Sequence, residues 1–231
     1  MWIILGLIVL SISLLWLLYG IVPTYYYKVK AASERKEEEF KHLYLSFDDG
    51  VDRIYTQQLL DLLKRYQIHV TFFVVARYAQ ENPLIIQRIK KEGHCIALHS
   101  LAHESALLKT PLGIKRELEE SIAIMESLGV KVTLYRPPWG HCNLSLIHQL
   151  KKHNIKLVLW NVMAQDWKGD LTADRIAQRL QSRTGSGDTI CLHDGRGTNG
   201  APGRTIQALT TMLALWSAQG YSFLRMDERY E

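Results

Sequence analysis

From residue 42 onward the chain alternates between short runs of β-branched and aromatic residues and longer runs with apolar residues at helical spacing. No other property of the sequence narrows the fold as much. Parallel strands need a crossover, and a helix between successive strands supplies it. The pattern therefore predicts an α/β fold of βα units, a parallel sheet of about seven strands closed as an irregular (β/α) barrel. Strands are expected at 43–47, 69–75, 94–98, 131–135, 156–161, 188–192 and 221–225. Between them, helices are expected at 55–66, 83–91, 111–128, 144–153, 172–183 and 204–218. The helix ends carry their own signals: Pro83 in a first turn, Gly93 and Gly129 just past the ends, and Thr172 as an N-cap.

Ahead of this domain, residues 2–22 carry no charge. As a helix they are ~30 Å long, enough to cross a bilayer. Trp2, Trp16, Tyr19 and the run Tyr25-Tyr26-Tyr27 suit the interfaces. A cleaved signal peptide is the alternative, and Ala31-Ala32-Ser33 has the small residues of a cleavage site. No basic residue precedes the run, however, and it is long for a signal h-region, so an uncleaved single-pass anchor in the cell membrane is expected. Residues 23–41 read as a charged linker which, if helical, reaches only ~28 Å from the membrane. Lys28, Lys30, Arg35 and Lys36 follow the span, and no Lys or Arg precedes it, a pattern that points the domain inward. Part of the net charge of +5 is thus beside the membrane, where it favours anionic headgroups. The chain has no nucleic-acid-binding motif, and its three cysteines form no evident disulfide framework.

In parallel βα folds the chemistry gathers at the C-terminal ends of the strands. The unusual polar residues of this chain fall there. Asp48-Asp49-Gly50 ends the first strand, His99 the third, Arg136 the fourth and His193 the sixth, while Asp166-Trp167 follows the fifth. Two adjacent carboxylates raise each other's pKa unless a cation lies between them, and one can then ligate a metal while the other accepts a proton. A plain Asp-Gly turn explains the same residues when they are taken alone. His99 and His103, four apart, would share one face of a helical turn and could grip one ion; such pairs also occur as ordinary structural histidines. With Asp49 they make a set of two imidazoles and one carboxylate, suited to hydrolysis with Zn²⁺ or, alternatively, Co²⁺ or another divalent ion. Arg136-Pro137-Pro138-Trp139-Gly140 is a stiff turn whose arginine can hold a carboxylate. His193 can protonate a leaving group, or it is a satisfied core histidine.

The order Ser46-Phe47-Asp48-Asp49-Gly50, His99-Ser100-Leu101-Ala102-His103, Arg136-Pro137-Pro138-Trp139-Gly140, Asp166-Trp167 and Leu192-His193 resembles the polysaccharide deacetylases of the NodB-homology group, carbohydrate esterase family 4. The resemblance covers residues 42–230. It implies metal-dependent removal of acetyl groups from N-acetylated sugars of a glycan or glycolipid. It also implies Asp48 as general base, held by Arg136, and Asp49, His99 and His103 as metal ligands. His193 would be the general acid, tuned by Asp166. Trp139 would bind through its backbone N–H, and Trp167 and Leu192 would wall an acetyl pocket. Three positions depart from the family's pattern: Ser46 where threonine is common, Trp139 where tyrosine is common, and Met163 where the fourth motif usually has aspartate. An O-acetyl esterase with the same machinery is the first alternative. A catalytically silent glycan-binding membrane protein is the second. Many family members work on wall polymers outside the cell, so the resemblance and the charge pattern point to opposite sides of the membrane.

Overall fold

The structure is a computed structural model that describes residues 1–34 and 40–230. Its centre is one parallel sheet. The strands are β1 (His42–Asp48), β2 (Thr71–Val74), β3 (Cys95–Leu98), β4 (Leu134–Tyr135), β5 (Lys156–Leu157), β6 (Val162–Met163), β7 (Asp188–His193) and β8 (Ser222–Phe223). They are ordered β5-β4-β3-β2-β1-β7-β6, with β8 paired to β1, and every pairing is parallel. β1 lies in the middle and is buried along almost its whole length, as its apolar sequence requires. The expected parallel barrel is present as an open half-barrel: among the described residues no ladder joins β5 to β6. Both strands are two residues long, and just before β6 an asparagine extends the pairing with β7. Asn161 Nδ2 donates to Asp188 Oδ1 at 2.8 Å, and Asn161 Oδ1 accepts from the Thr189 N–H at 2.8 Å.

Helices cover the sheet: α3 (Tyr55–Tyr66), α4 (Ala76–Glu81), α5 (Pro83–Lys91), α6 (Pro111–Ser127), α7 (Leu144–Lys152), α8 (Ala173–Arg183) and α9 (Ala201–Ala218). Their apolar faces meet the sheet in one large core built on Leu43, Leu45, Phe47, Leu59, Leu63, Phe72, Ile86, Leu209 and Trp216. α4 was not expected; it is a single short helix wedged between β2 and α5, with only Ala76 and Ala79 buried.

At the N-terminus, α1 (Trp2–Trp16) runs through a π-helical turn at Leu17–Ile21 into α2 (Val22–Ser33). The whole run, Trp2–Ser33, is long and apolar enough to cross a membrane. No residue of α1 is buried. Pro23 has no N–H to give, and it falls just after the π turn, a common place for a helix to absorb a missing donor. The described part of the expected linker, residues 23–34, is not a spacer. It continues the helix, and Pro23 and Thr24 are buried against the domain. The charged stretch 35–39, with Arg35 and Lys36, lies outside the described residues.

Candidate active site

The strand ends converge as the alternation predicts. The β1–β7 register sets Asp48 directly beside His193. Arg136 continues the sheet past β4, its N–H donating to the Leu98 carbonyl at 2.9 Å. Asp48 and Arg136 are both almost fully buried, and Arg136 Nη1 donates to Asp48 Oδ1 at 2.6 Å. The same Nη1 donates to Ser46 Oγ at 2.8 Å, and Ser46 in turn donates to the Ile190 carbonyl at 2.7 Å. The guanidinium also lies 3.9 Å from the Phe73 ring centroid, so its position is set on several sides. Asp48 Oδ2 receives a further contact, from the thiol of Cys191 at 3.3 Å. Burial, with Asp48 as the nearest charge, pushes that thiol well above its ordinary value, so Cys191 stays a neutral donor.

One residue on, Asp49 faces two imidazoles. Its Oδ1 lies 3.2 Å from His99 Nε2 and 2.9 Å from His103 Nε2. The expected helical turn does not bring them together. Residues 99–103 form a loop in which Ser100 (φ 70°) and His103 (φ 56°) adopt left-handed backbone, and the Ser100 side chain accepts from the His103 N–H at 2.9 Å. Burial opposes ionisation of Asp49; protons on the Nε2 atoms of His103 and His99 would outweigh it and hold the carboxyl far below the usual range. His99 Nδ1 donates to the Arg136 carbonyl at 2.7 Å. A neutral His99 therefore has no proton left on Nε2, and two lone pairs face each other across the 3.2 Å gap to Asp49. A divalent cation between them removes that repulsion, and a backbone carbonyl fixing the far nitrogen is how metal-binding histidines are commonly oriented. The three donor atoms lie within 4.8 Å of one another. The residues present thus fit a metal ion.

Across the cleft, His193 Nδ1 lies 3.0 Å from Asp166 Oδ1, and the His193 N–H donates to Asp166 Oδ2 at 2.8 Å. Thr205 on α9 donates to the same Oδ2 at 2.9 Å, which leaves Asp166 fully buried and fixed. Burial disfavours charge on His193, but the Asp166 carboxylate outweighs it, and the pKa is pushed up to about 9. The Trp167 ring stands edge-on to His193, and that of Trp139 edge-on to His103. Trp139 is half exposed, in left-handed backbone at φ 55°.

The cleft between these groups has a volume of about 460 Å³. Asp48, Asp49, His99, His103, Trp139, Trp167 and His193 line it, as expected. Arg136 and Asp166 lie behind their partners. Leu192 is different. It is fully buried in the core below the cleft and does not line it, because its neighbour His193 takes the cleft side of the alternating strand. Trp160, Met163, Lys168 and Arg196 line the cleft without having been expected to, apart from Met163 as a departure from the family's pattern. Arg196 Nε lies 3.9 Å from Asp49 Oδ2. Gly195 and Gly197 on either side of it were the one available signal of a loop able to bring a charge this close. Cys191 and Thr205 carried no signal at all, since each acts through a residue distant in the chain.

A sequence model described as polysaccharide deacetylase matches residues 35–158 of this chain, more than half of it. The chain belongs to the polysaccharide deacetylase family. It is 30% identical over 190 residues to a peptidoglycan-N-acetylglucosamine deacetylase of Bacillus cereus, covering 81% of this deacetylase and 87% of the relative. It is 35% identical over 196 residues to the peptidoglycan-N-acetylmuramic acid deacetylase PdaC of Bacillus subtilis, of whose length it spans 39%. A family 4 acetyl xylan esterase from Clostridium thermocellum, solved with a cobalt ion, superposes with a TM-score of 0.73 at 28% identity, covering 81% of this chain and 89% of that one. The family consists of metal-dependent hydrolases, and its deacetylases cleave N-acetyl amide bonds.

Proposed function

We propose that this deacetylase hydrolyses the acetamido group of an N-acetylated sugar in a glycan or glycolipid, with Asp48 and His193 as its base and acid. The observation that carries the reading is the division of labour between two adjacent carboxylates: Asp48 is tied to Arg136, and Asp49 faces two imidazole nitrogens. An ion held by Asp49, His99 and His103, Zn²⁺ by the chemistry of the donors or Co²⁺ in its place, would polarise the acetyl carbonyl and make water more acidic. Asp48 Oδ2 takes the proton of the attacking water, while Arg136 on Oδ1 keeps the carboxylate oriented. Asp166 holds the Nδ1 proton of His193, so the proton on Nε2 is the one delivered to the departing amine. Trp139 and Trp167 wall the sugar site beside these groups, and the Trp139 N–H would help bind the developing oxyanion.

The helix Trp2–Ser33 is proposed as an uncleaved membrane anchor, because burial of Pro23 and Thr24 against the domain ties its second half into the fold. An O-acetyl esterase is the second reading, favoured by the likeness to an acetyl xylan esterase. One assay separates them: the metal-loaded protein should release acetate from a chitooligosaccharide faster than from acetylated xylan. Faster release from the xylan selects the esterase, and release from neither substrate overturns both.

A further inference from the structure

The second half of the N-terminal helix is clamped to the domain along a defined line. Thr24 Oγ1 donates to the Cys142 carbonyl at 2.8 Å and accepts from the Cys142 N–H at 2.8 Å, so one side chain engages both backbone groups of one residue. Gly20 permits the closest approach: a Cβ there would stand 2.6 Å from Leu107 Cδ2. Trp16 Nε1 donates to the Leu107 carbonyl at 3.4 Å. At the other end of the helix, Arg229 Nη2 donates to the Glu34 carbonyl at 2.8 Å, and Arg229 Nη1 to the Gly187 carbonyl at 3.0 Å.

These contacts fix a direction. Leu107 and Cys142 are on the loops after β3 and β4, at the end of the sheet that carries the cleft. Gly187 immediately precedes β7, at the opposite end. The helix therefore runs antiparallel to the strands, and α1 leaves the domain on the side of the active site. From Val22 to Glu34 the helix rises ~18 Å. That is close to the ~23 Å height of a seven-residue strand such as β1. A bilayer around the uncharged run 2–22 thus has its surface level with the rim of the cleft. The rim is fitted for that surface. Its 3₁₀ turn Ala106–Leu108 packs on the helix through Leu107 and presents Leu108, 85% exposed, at the tip. A short relay leads from the turn to the site: Ser105 Oγ lies 2.8 Å from His141 Nδ1, and Trp139 stands between His141 and the candidate ligand His103.

We propose that the cleft faces the bilayer and takes an acetylated sugar carried on a membrane lipid. This rests on the deacetylase reading and deepens it. A cross-linked polymer beyond the domain lies on the far side of the barrel, ~20 Å from the mouth. A sugar on a lipid headgroup enters from the bilayer side without desorbing.

The test uses the full-length protein in liposomes, with two readouts. For orientation, Leu108→Cys and Lys91→Cys are each made in a Cys95→Ser background and labelled with an environment-sensitive fluorophore. Lys91, the last residue of α5 just before β3, is exposed at the opposite end of the barrel. A quencher attached to the lipid should extinguish the label at 108 several-fold more than that at 91; equal quenching, or stronger quenching at 91, overturns the orientation. For substrate, acetate release from N-acetylglucosaminyl polyprenyl diphosphate in the same liposomes is compared with release from a soluble chitooligosaccharide. The expected ratio in kcat/KM is at least tenfold in favour of the lipid, and Thr24→Val combined with Gly20→Leu should erase the ratio while leaving metal content and soluble turnover unchanged. Equal use of both substrates by the unaltered protein sinks the lipid-linked substrate alone. Release from neither sinks the deacetylase reading, while the quenching result still decides the orientation.

Discussion

His94 and His193 stand at opposite ends of the same sheet, one just before β3 and the other closing β7. Both are largely enclosed, yet at neutral pH His94 is uncharged and His193 is protonated. Burial, helped by the neighbouring His69, pushes His94 down to about 4. Its Nδ1 accepts from the Val70 N–H at 3.2 Å, and its ring stands edge-on to Phe72. It is a neutral acceptor inside a core. His193 meets the same penalty, but the fixed carboxylate of Asp166 reverses the outcome and pushes it up to about 9. The lesson is that depth alone makes a histidine structural, and depth beside an immobilised carboxylate makes it an acid. Cavity size teaches the same thing. The cavity at the His94 end, about 770 Å³, is larger than the active-site cleft. At its edge, however, the Arg88 guanidinium is held by ordinary partners, Glu92 and Asp61. Chemistry follows the polar groups that packing leaves without an ordinary partner, and the largest space lies elsewhere.

The largest expected effect tests the base. Asp48→Asn should keep the metal and lose activity on the order of 10²-fold to 10⁴-fold. Acetate release and metal content, measured on one preparation, decide it; activity within tenfold of the unaltered protein would move the base elsewhere. Next comes the metal set. His103→Ala should lose stoichiometric metal together with activity. Chelation should lower the melting temperature of the unaltered protein, since an ion at a hundred times its Kd contributes about 2.7 kcal/mol, and should leave that of the variant unmoved.

The third prediction acts directly on the contrast between the two histidines. Asp166→Asn should drop the His193 titration, followed by NMR in the apoprotein, from about 9 to 6.5 or below. The sign for stability follows. A pKa raised on folding contributes stability that is complete below the unfolded value near 6.5 and is lost as pH rises through about 9. The variant should therefore show a flatter alkaline slope in melting temperature, and an unchanged slope would assign the alkaline loss to another group. The smallest effect lies at the other end. The depressed pKa of His94 contributes stability above about 6.5 that is lost as pH falls towards about 4, an upper limit of ~3 kcal/mol. His94→Gln should flatten the acid slope and leave turnover untouched; a loss of turnover would undo the division between the two ends.

What could be read in the sequence, and what could not, divides along physical lines. α3 and α5 begin and end where their patterns said, because the leucines of one and the Pro83 and Gly93 of the other are local signals. α4 was invisible: six residues with two buried alanines give no period to detect. The convergence of Asp49, His99 and His103 was legible, but the helical turn invoked for it was wrong, since left-handed Ser100 and His103 bring the rings together instead. The same kind of gap explains Leu192. The motif named the right stretch, but only strand alternation in three dimensions decides which side chain faces the cleft. Cys191 under Asp48, Thr205 behind Asp166 and Thr24 on Cys142 span 143, 39 and 118 residues of chain, distances over which composition and spacing say nothing.

The left-handed residues around the cleft set a limit on how this protein can be improved. Asp49, Ser100, His103, Trp139 and Arg196 all have φ between 55° and 70°, and none is glycine. Each such residue costs of order 1 kcal/mol relative to relaxed backbone. Replacing one by glycine would relieve that cost but would delete a ligand, a cleft wall or the hydroxyl that holds a ligand's loop. A search for hardier variants of this enzyme should therefore find its gains in α3, α8 and the far end of the barrel. Selection for heat resistance alone, without a check on turnover, should drift toward glycine at these rim positions and yield a tougher, idle protein.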